Sequence, residues 1–306
     1  MRWSILVLLT IVISTLTVCV FFIIPALDTE DDEKPVDAQH LSVVRTGSVK
    51  LFILTATYKR LVQKAELTRL CNTLRNVRDV HWIVVEDGSS KLNSTAFLLA
   101  KCGIPYTYLN AETPPQERMR NNEPYWWRPK GIAQRNLGLQ WIRRTLVYGR
   151  DRGVLYIADD DNTYDIQLFE EIRSTKRVST WPVAFAGELP WEGCVTSQKN
   201  RTSITRMWTA YKPDRPFPID MAGFAVNTDL ILKHNHANFD YNRPRGMQES
   251  QFLIDLGLSH WSEMEPKANG CQQILVWHTR TADPLLATWR RLESQGVLVP
   301  PMEDTV

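Results

Sequence analysis

The sequence predicts an α/β fold in which a central, mostly parallel sheet is flanked by helices. Two observations carry that prediction: short apolar runs alternate with stretches of helical periodicity, and several of the runs end in polar or charged residues. A third observation sets the fold in its surroundings. One uncharged run near the N-terminus is long enough to cross a bilayer, so a single globular body behind a membrane anchor is expected.

That run covers residues 4–24, against the roughly 20 residues a helix needs to span the hydrocarbon core. The rival reading is a cleaved secretory signal. Such signals have apolar stretches of about 7–15 residues and a small-residue cleavage site, whereas this run leaves through Ile24-Pro25-Ala26-Leu27. Arg2 precedes it, and Asp28, Glu30, Asp31, Asp32 and Glu33 follow, so the positive-inside bias keeps the N-terminus cytosolic. The expected order is a cytosolic tail (1–3), a transmembrane signal-anchor (4–24), a polar stem (25–47) and a lumenal domain (48–306).

Within the body, residues 49–55 read as a buried strand. Leu67, Leu70, Leu74 and Val77 then mark one face of a helix. Residues 80–85 form the next strand and end in Glu86-Asp87-Gly88; Leu137, Trp141, Ile142 and Leu146 suggest another helix. Residues 153–158 make a third strand that runs into Asp159-Asp160-Asp161. Strand–helix–strand order calls for parallel pairing, and such sheets bind ligands beyond the carboxyl ends of their strands. Those ends carry Thr57-Tyr58, Glu86-Asp87 and the three aspartates.

A hydrophobic content of 43% over 306 residues supports a substantial core. The formal net charge is only +2, from 36 basic and 34 acidic residues, which excludes a broad field for nucleic acid. Sequons at Asn93 and Asn200 suit a lumenal body. Of five cysteines, Cys19 lies in the predicted span, and Cys71, Cys102, Cys194 and Cys271 are scattered, with neither a disulfide framework nor a CxxC metal spacing expected.

Three carboxylates against a rigid strand end repel one another unless a cation sits among them. A hard divalent ion with oxygen ligands, Mg2+ or Mn2+, takes one or two carboxylates plus substrate phosphates; the rival is a solvated acidic turn. Trp277-His278-Thr279-Arg280 follows the apolar Ile274-Leu275-Val276, so His278 and Arg280 could grip a diphosphate opposite the metal, or pair at an edge for stability alone. Arg135 is either a second anion clamp or a surface arginine on a helix. Glu249 stands near the start of a helix marked by Phe252, Leu253 and Leu256, where a carboxylate compensates the dipole or serves as a general base. Among 11 tryptophans, Trp126, Trp127 and Trp208 are candidates for stacking on a sugar ring.

The motifs Thr57-Tyr58-Lys59-Arg60-Leu61-Val62-Gln63-Lys64-Ala65-Glu66-Leu67, Val85-Glu86-Asp87, Asp159-Asp160-Asp161-Asn162-Thr163-Tyr164, Phe217-Pro218-Ile219-Asp220-Met221-Ala222-Gly223-Phe224-Ala225-Val226 and Trp277-His278-Thr279-Arg280-Thr281 occur in that order over residues 50–285. Together they resemble the β-1,3-glucuronosyltransferase family. The resemblance implies a GT-A nucleotide-sugar fold, UDP-glucuronate as donor, Mn2+ held chiefly by Asp161, inversion at the anomeric carbon, and a Golgi homodimer. It implies that Tyr58 stacks on uracil and Asp87 binds its polar edge, that Asp159, Asp160, Arg135 and His278 hold donor groups, and that Arg280 assists at the phosphates. Glu249 would be the base, with Glu192, Arg215 and Asp220 orienting an acceptor galactose.

Within that family the pattern most resembles enzymes acting on Gal-Gal-Xyl of the proteoglycan linkage region, with N-acetyllactosamine-type glycans as the alternative acceptor. Lys130 stands where the family often has arginine, which exchanges a bidentate fork for a point charge and loosens donor-carboxylate recognition; Tyr211 stands where a tryptophan is found and the tail after Pro284 diverges, so acceptor breadth is open. A membrane-tethered galactoside-binding protein without catalysis, and the same fold using another UDP-sugar, are the competing classes.

Overall fold

The computed structural model describes residues 49–124, 127–282 and 284–296. The predicted anchor and stem lie outside the described residues, as does Trp126. Among the described residues no helix is long and apolar enough to cross a membrane.

In chain order, β1 (Lys50–Tyr58), α1 (Gln63–Leu74), β2 (Val80–Asp87), α2 (Asn93–Cys102), β3 (Tyr106–Asn110), α3 (Ile132–Thr145) and β4 (Gly153–Ile157) come first. They are followed by β5 (Thr163–Tyr164), α4 (Ile166–Ile172), β6 (Val178–Thr180), β7 (Val183–Ala184), β8 (Trp191–Thr196), β9 (Ile204–Trp208), β10 (Phe224–Asn227), α5 (Thr228–Lys233), α6 (Gln248–Asp255), β11 (Glu265–Pro266) and β12 (Val276–Trp277). The main sheet has the order β11-β6-β10-β4-β1-β2-β3. Its β4-β1-β2-β3 portion is parallel, and β10 runs antiparallel to both β4 and β6. The expected mixed α/β architecture is therefore present.

Alternation along the central strands explains why their sequences read as continuous apolar runs. Leu51, Ile53, Trp82, Val84, Val154 and Tyr156 pack on one face with Leu67, Leu70 and Leu99 from α1 and α2. Phe52, Leu54, Ile83, Val85, Leu155 and Ile157 pack on the other with Ile132, Leu139 and Ile142 of α3 and Phe252 and Leu253 of α6. A sheet covered on both faces needs apolar residues at every strand position, not every second one.

Two features depart from the sequence expectation. A second sheet, β5-β12-β7-β8-β9, is built from strands of two to six residues. Such short strands leave little periodicity to read. Four cysteines of the globular body also form two disulfides, Cys71–Cys102 and Cys194–Cys271, with sequence separations of 31 and 77 and Cα–Cα distances of 5.8 Å in each. The expectation of no disulfide framework is corrected: the pairs are distant in sequence and are brought together only by the fold. The first links α1 to α2; the second links β8 to a short turn at Ala268–Cys271.

Candidate active site

β1 and β2 extend beyond their apolar runs, so Thr57-Tyr58 and Glu86-Asp87 are their last members, whereas residues 159–161 follow the end of β4 at Ile157. Thr57 pairs with Glu86 and Tyr58 with Asp87 in the β1–β2 register. These strand ends, together with residues 159–161 after β4, open on a cavity of about 740 Å³ whose lining includes Tyr58, Asp87, Lys130, Arg135, Asp159, Asp160, Asp161 and His278. Tyr58, Asp87 and residues 159–161 meet there because parallel strands deliver their carboxyl ends to one edge, and His278 joins them from the end of β12 in the second sheet.

Each carboxylate is held differently. Asp87 accepts from the Thr113 amide at 2.8 Å and the Thr113 hydroxyl at 2.6 Å, fixing the loop after β3. Asp159 pairs with Arg135 at 3.1 Å. Asp160 is buried; it accepts from the Thr57 hydroxyl at 2.6 Å and pairs with Arg60 at 2.7 Å, and burial pushes its pKa up against those two partners. Asp161 takes none of the hydrogen bonds that occupy its neighbours' carboxylates. Burial first, then the charges of Asp159 and Asp160, raise its pKa to about 6.

Arg135 is aimed by its local backbone. Gly131 precedes α3 with φ +72°, a left-handed conformation, and a Cβ there would stand 2.9 Å from an Arg135 guanidinium nitrogen and 3.2 Å from Ala56. The guanidinium is thereby free to bond both the Lys130 carbonyl at 2.7 Å and Asp159. Tyr58 is 49% exposed, with one ring face covered by Arg60 at 4.5 Å. His278 follows the two-residue β12, its amide donating to the Ala184 carbonyl at 2.9 Å. Arg280 is not part of the cavity lining, but its charge helps hold the Lys130 pKa down, after burial as the main cause.

Glu249 sits in the first turn of α6 and lines an adjoining cavity of about 390 Å³. Glu117, Arg128, Pro129, Lys130 and Arg135 line both cavities, so Asp161 and Glu249 lie in two adjoining lobes that share a wall. Burial raises the Glu249 pKa to about 7; Asp220 adds to the rise, and Arg215 and Arg135 oppose it. Glu192 is buried, accepts from the Thr209 hydroxyl at 2.8 Å, and is also shifted upward by burial. Asp220 accepts from the Ala222 amide at 2.9 Å, and Arg215 donates to the Gly246 carbonyl at 3.0 Å. Glu192, Arg215 and Asp220 line neither lobe directly, yet Asp220 couples electrostatically to His278, Asp159 and Arg135.

The remaining sequence candidates lie apart or at the rim. Trp127 is 55% exposed beside the Glu249 lobe, and Trp208 is exposed on β9 with Trp191 6.3 Å away. Asn93, at the start of α2, and Asn200, between β8 and β9, are exposed. Arg60 and Thr113 were not singled out from sequence. Arg60 is two residues from Tyr58 in a polar run, which is a usable signal, whereas nothing local marks Thr113.

Among the described residues, no group of three or more His, Cys, Asp and Glu side chains forms a metal cluster. That does not conflict with a hard ion that completes its shell with a diphosphate, which needs only one or two protein carboxylates. The oxygen donors at residues 159–161 fit such an ion.

The sequence profile described as glycosyltransferase family 43 matches residues 70–282. The chain belongs to that family. Its family 43 relatives include the galactosylgalactosylxylosylprotein 3-beta-glucuronosyltransferase sqv-8 of Caenorhabditis elegans, 44% identical over 81% of this chain and 69% of that protein. The corresponding enzyme 3 of Mus musculus is 44% identical over 80% of this chain and 75% of its own. Enzyme 1 of Homo sapiens is 48% identical over 77% and 70%.

Proposed function

We propose that this family 43 chain transfers glucuronate from UDP-glucuronate to the 3-hydroxyl of a terminal galactose, with Gal-Gal-Xyl of the proteoglycan linkage region as its acceptor. The relatives bearing that activity in their names, at 44–48% identity, support the substrate assignment. The observation that carries the mechanism is the pair of adjoining lobes, with Asp161 and His278 in one, Glu249 in the other, and Lys130 and Arg135 on the wall between.

Tyr58 offers its exposed ring face to uracil, and the Asp87 edge of the cavity receives the polar groups of the base. Asp161, with Asp159 beside it, would hold Mn2+, which when bound neutralises charge developing on the departing diphosphate. His278 and Arg280 hold donor groups across the cavity. Arg135 and Lys130 suit the glucuronate carboxylate, being cationic and on the shared wall. Glu192, Arg215 and Asp220 orient the galactose. Glu249 takes the proton from the galactose 3-hydroxyl as that oxygen attacks the anomeric carbon; the bond from that carbon to the diphosphate oxygen breaks, and UDP leaves from the opposite face with inversion. A carboxylate with a pKa of about 7 is matched to this task near neutrality. Only its ionised form is a base, so turnover falls as pH drops through about 7.

The two disulfides and the exposed sequons support a lumenal setting. With residues 4–24 as the anchor, we assign the protein to the Golgi membrane as a single-pass type II homodimer.

The test uses the purified full-length chain, labelled UDP-glucuronate and an acceptor panel. Gal-Gal-Xyl is expected to be glucuronylated and EDTA to abolish turnover. Turnover retained by Glu249→Ala contradicts the base assignment. Preference for N-acetyllactosamine redirects the acceptor assignment, and galactoside binding without release of UDP replaces the enzyme with a lectin.

A further inference from the structure

One turn of α1 carries two polar side chains with no part in the chemistry above. Arg69 donates from Nη2 to the Asp161 carbonyl at 2.7 Å and from Nη1 to the Thr281 hydroxyl at 3.2 Å. Glu66, three residues earlier and 1% exposed, accepts from Arg60 through one oxygen and from the Thr281 amide at 3.3 Å through the other. Residues three apart share a helix face, so both reach the same side of α1. Arg60 in turn pairs with Asp160 and covers Tyr58. The Thr279 hydroxyl gives the Asp161 carbonyl a second hydrogen bond at 3.1 Å.

Three chain segments far apart in sequence, the end of β1, the loop after β4 and the stretch after β12, therefore meet on one helical turn. The Asp161 carbonyl is the point of convergence. Two donors on one carbonyl fix the orientation of that peptide, and with it the direction in which the Asp161 side chain leaves the backbone. The Arg69 Nε is buried without a hydrogen-bond partner, an unfavourable state that the two Nη contacts must offset. A lysine has a single nitrogen and cannot reproduce a fork that reaches two acceptors on different segments.

We infer that Arg69 is a positioning residue for the donor lobe: it clamps the loop bearing Asp161 to the segment bearing His278, and so sets the spacing between the metal-side carboxylate and the residues opposite it. This rests on the donor-site reading of the cleft.

The test compares wild-type chain with Arg69→Met, Arg69→Lys and Thr281→Val. Mn2+ binding in the presence of UDP is followed by electron paramagnetic resonance of the free ion, UDP binding by calorimetry, and folding by thermal melting. Arg69→Met is expected to weaken Mn2+ binding about tenfold, or about 1.4 kcal/mol, and to raise the donor KM while leaving the acceptor KM unchanged. Arg69→Lys recovers only part of the loss. Thr281→Val, which removes one of the two acceptors from a partly exposed position, gives a smaller loss that does not add to that of Arg69→Met. Wild-type affinities in a folded Arg69→Met, or a loss that follows only its melting, overturn the inference. Should Arg69→Met not fold, full affinity in Thr281→Val overturns it instead. Wild-type chain that binds no UDP with Mn2+ sinks the donor-site reading and this inference with it, whereas wild-type binding with unaltered variants sinks this inference alone.

Discussion

Tyr58 and Asp87 end two strands that are hydrogen-bonded to each other, and Asp161 lies just beyond a third, β4. Glu192, Arg215, Asp220 and Glu249 come instead from a six-residue strand, two loop positions and a helix start. The donor lobe thus borrows the rigidity of a sheet with a core on both faces. The proposed acceptor residues Glu192, Arg215 and Asp220, which lie outside both cavity linings, sit on short elements, and Cys194–Cys271 ties the strand of Glu192 to the chain leading into β12. The lesson is that the proposed metal and diphosphate site, which demands fixed geometry, rests on the stiffer half, and the proposed acceptor site on the half stitched together by local contacts.

The largest effect should test the stiff half. Asp161→Asn keeps the shape of the side chain and removes its charge, and it is expected to lower kcat by about 100- to 1000-fold, the size seen when one preorganised electrostatic partner is lost. Metal titration of the variant checks it: the half-saturating Mn2+ concentration should rise. Asp160→Asn should behave differently, because its carboxylate is already engaged by Arg60 and Thr57; it should leave the half-saturating Mn2+ concentration nearly unchanged. Equal metal dependence in the two variants would break the division of labour among the three aspartates.

The disulfides sharpen the same contrast. Removing either with a Cys→Ser pair should cost about 2–5 kcal/mol by urea unfolding. Loss of Cys71–Cys102, which joins α1 to α2, should leave the acceptor KM unchanged in the protein that remains folded, any change being confined to the donor KM because Cys71 is two residues from Arg69. Loss of Cys194–Cys271 should in addition raise the acceptor KM, since Glu192 is two residues from Cys194. If both pairs affect only stability, the acceptor half is stiffer than its short elements suggest.

How far the sequence could be read follows the same divide. The strands that pack against helices on both faces announce themselves as unbroken apolar runs, and the three polar termini are legible as their endings. The second sheet was not legible, because two-residue strands such as β5, β7 and β12 have no period. Glu249 could be placed at a helix start, but its proximity to Asp220 and Arg135 depends on long-range packing. The same is true of the cysteine pairs, and of Arg69, which from its position on α1 reads as an ordinary polar helix residue.

Glu192 offers a milder probe of the acceptor half. It is buried, it accepts from Thr209, and its pKa is raised by burial, so Glu192→Gln removes a charge-assisted contact without opening a cavity. The acceptor KM should rise about tenfold, or about 1.4 kcal/mol, with the Mn2+ dependence unchanged. An altered metal dependence would mean that the two lobes are not separable.

The smallest effect concerns the cost of keeping Glu249 ready. Its pKa is about 7 in the folded chain against 4.5 for an ordinary glutamate, so the folded state binds its proton more tightly than the unfolded state does. Below pH 4.5 both states are protonated and the residue carries no ionic penalty. Between there and about 7 the unfolded chain loses its proton first, and stability falls; above about 7 the penalty is complete. Glu249 is only partly buried by its exposed area, so solvent screening reduces the penalty to the order of 1 kcal/mol. Glu249→Gln cannot ionise. It should therefore unfold in urea nearly like the wild type at about pH 4.5 and be more stable than it at about pH 8, while being inactive at both. A variant that is no more stable at the higher pH would mean that the carboxylate is well solvated in the resting protein, and that its basicity is acquired only when substrate closes the cleft.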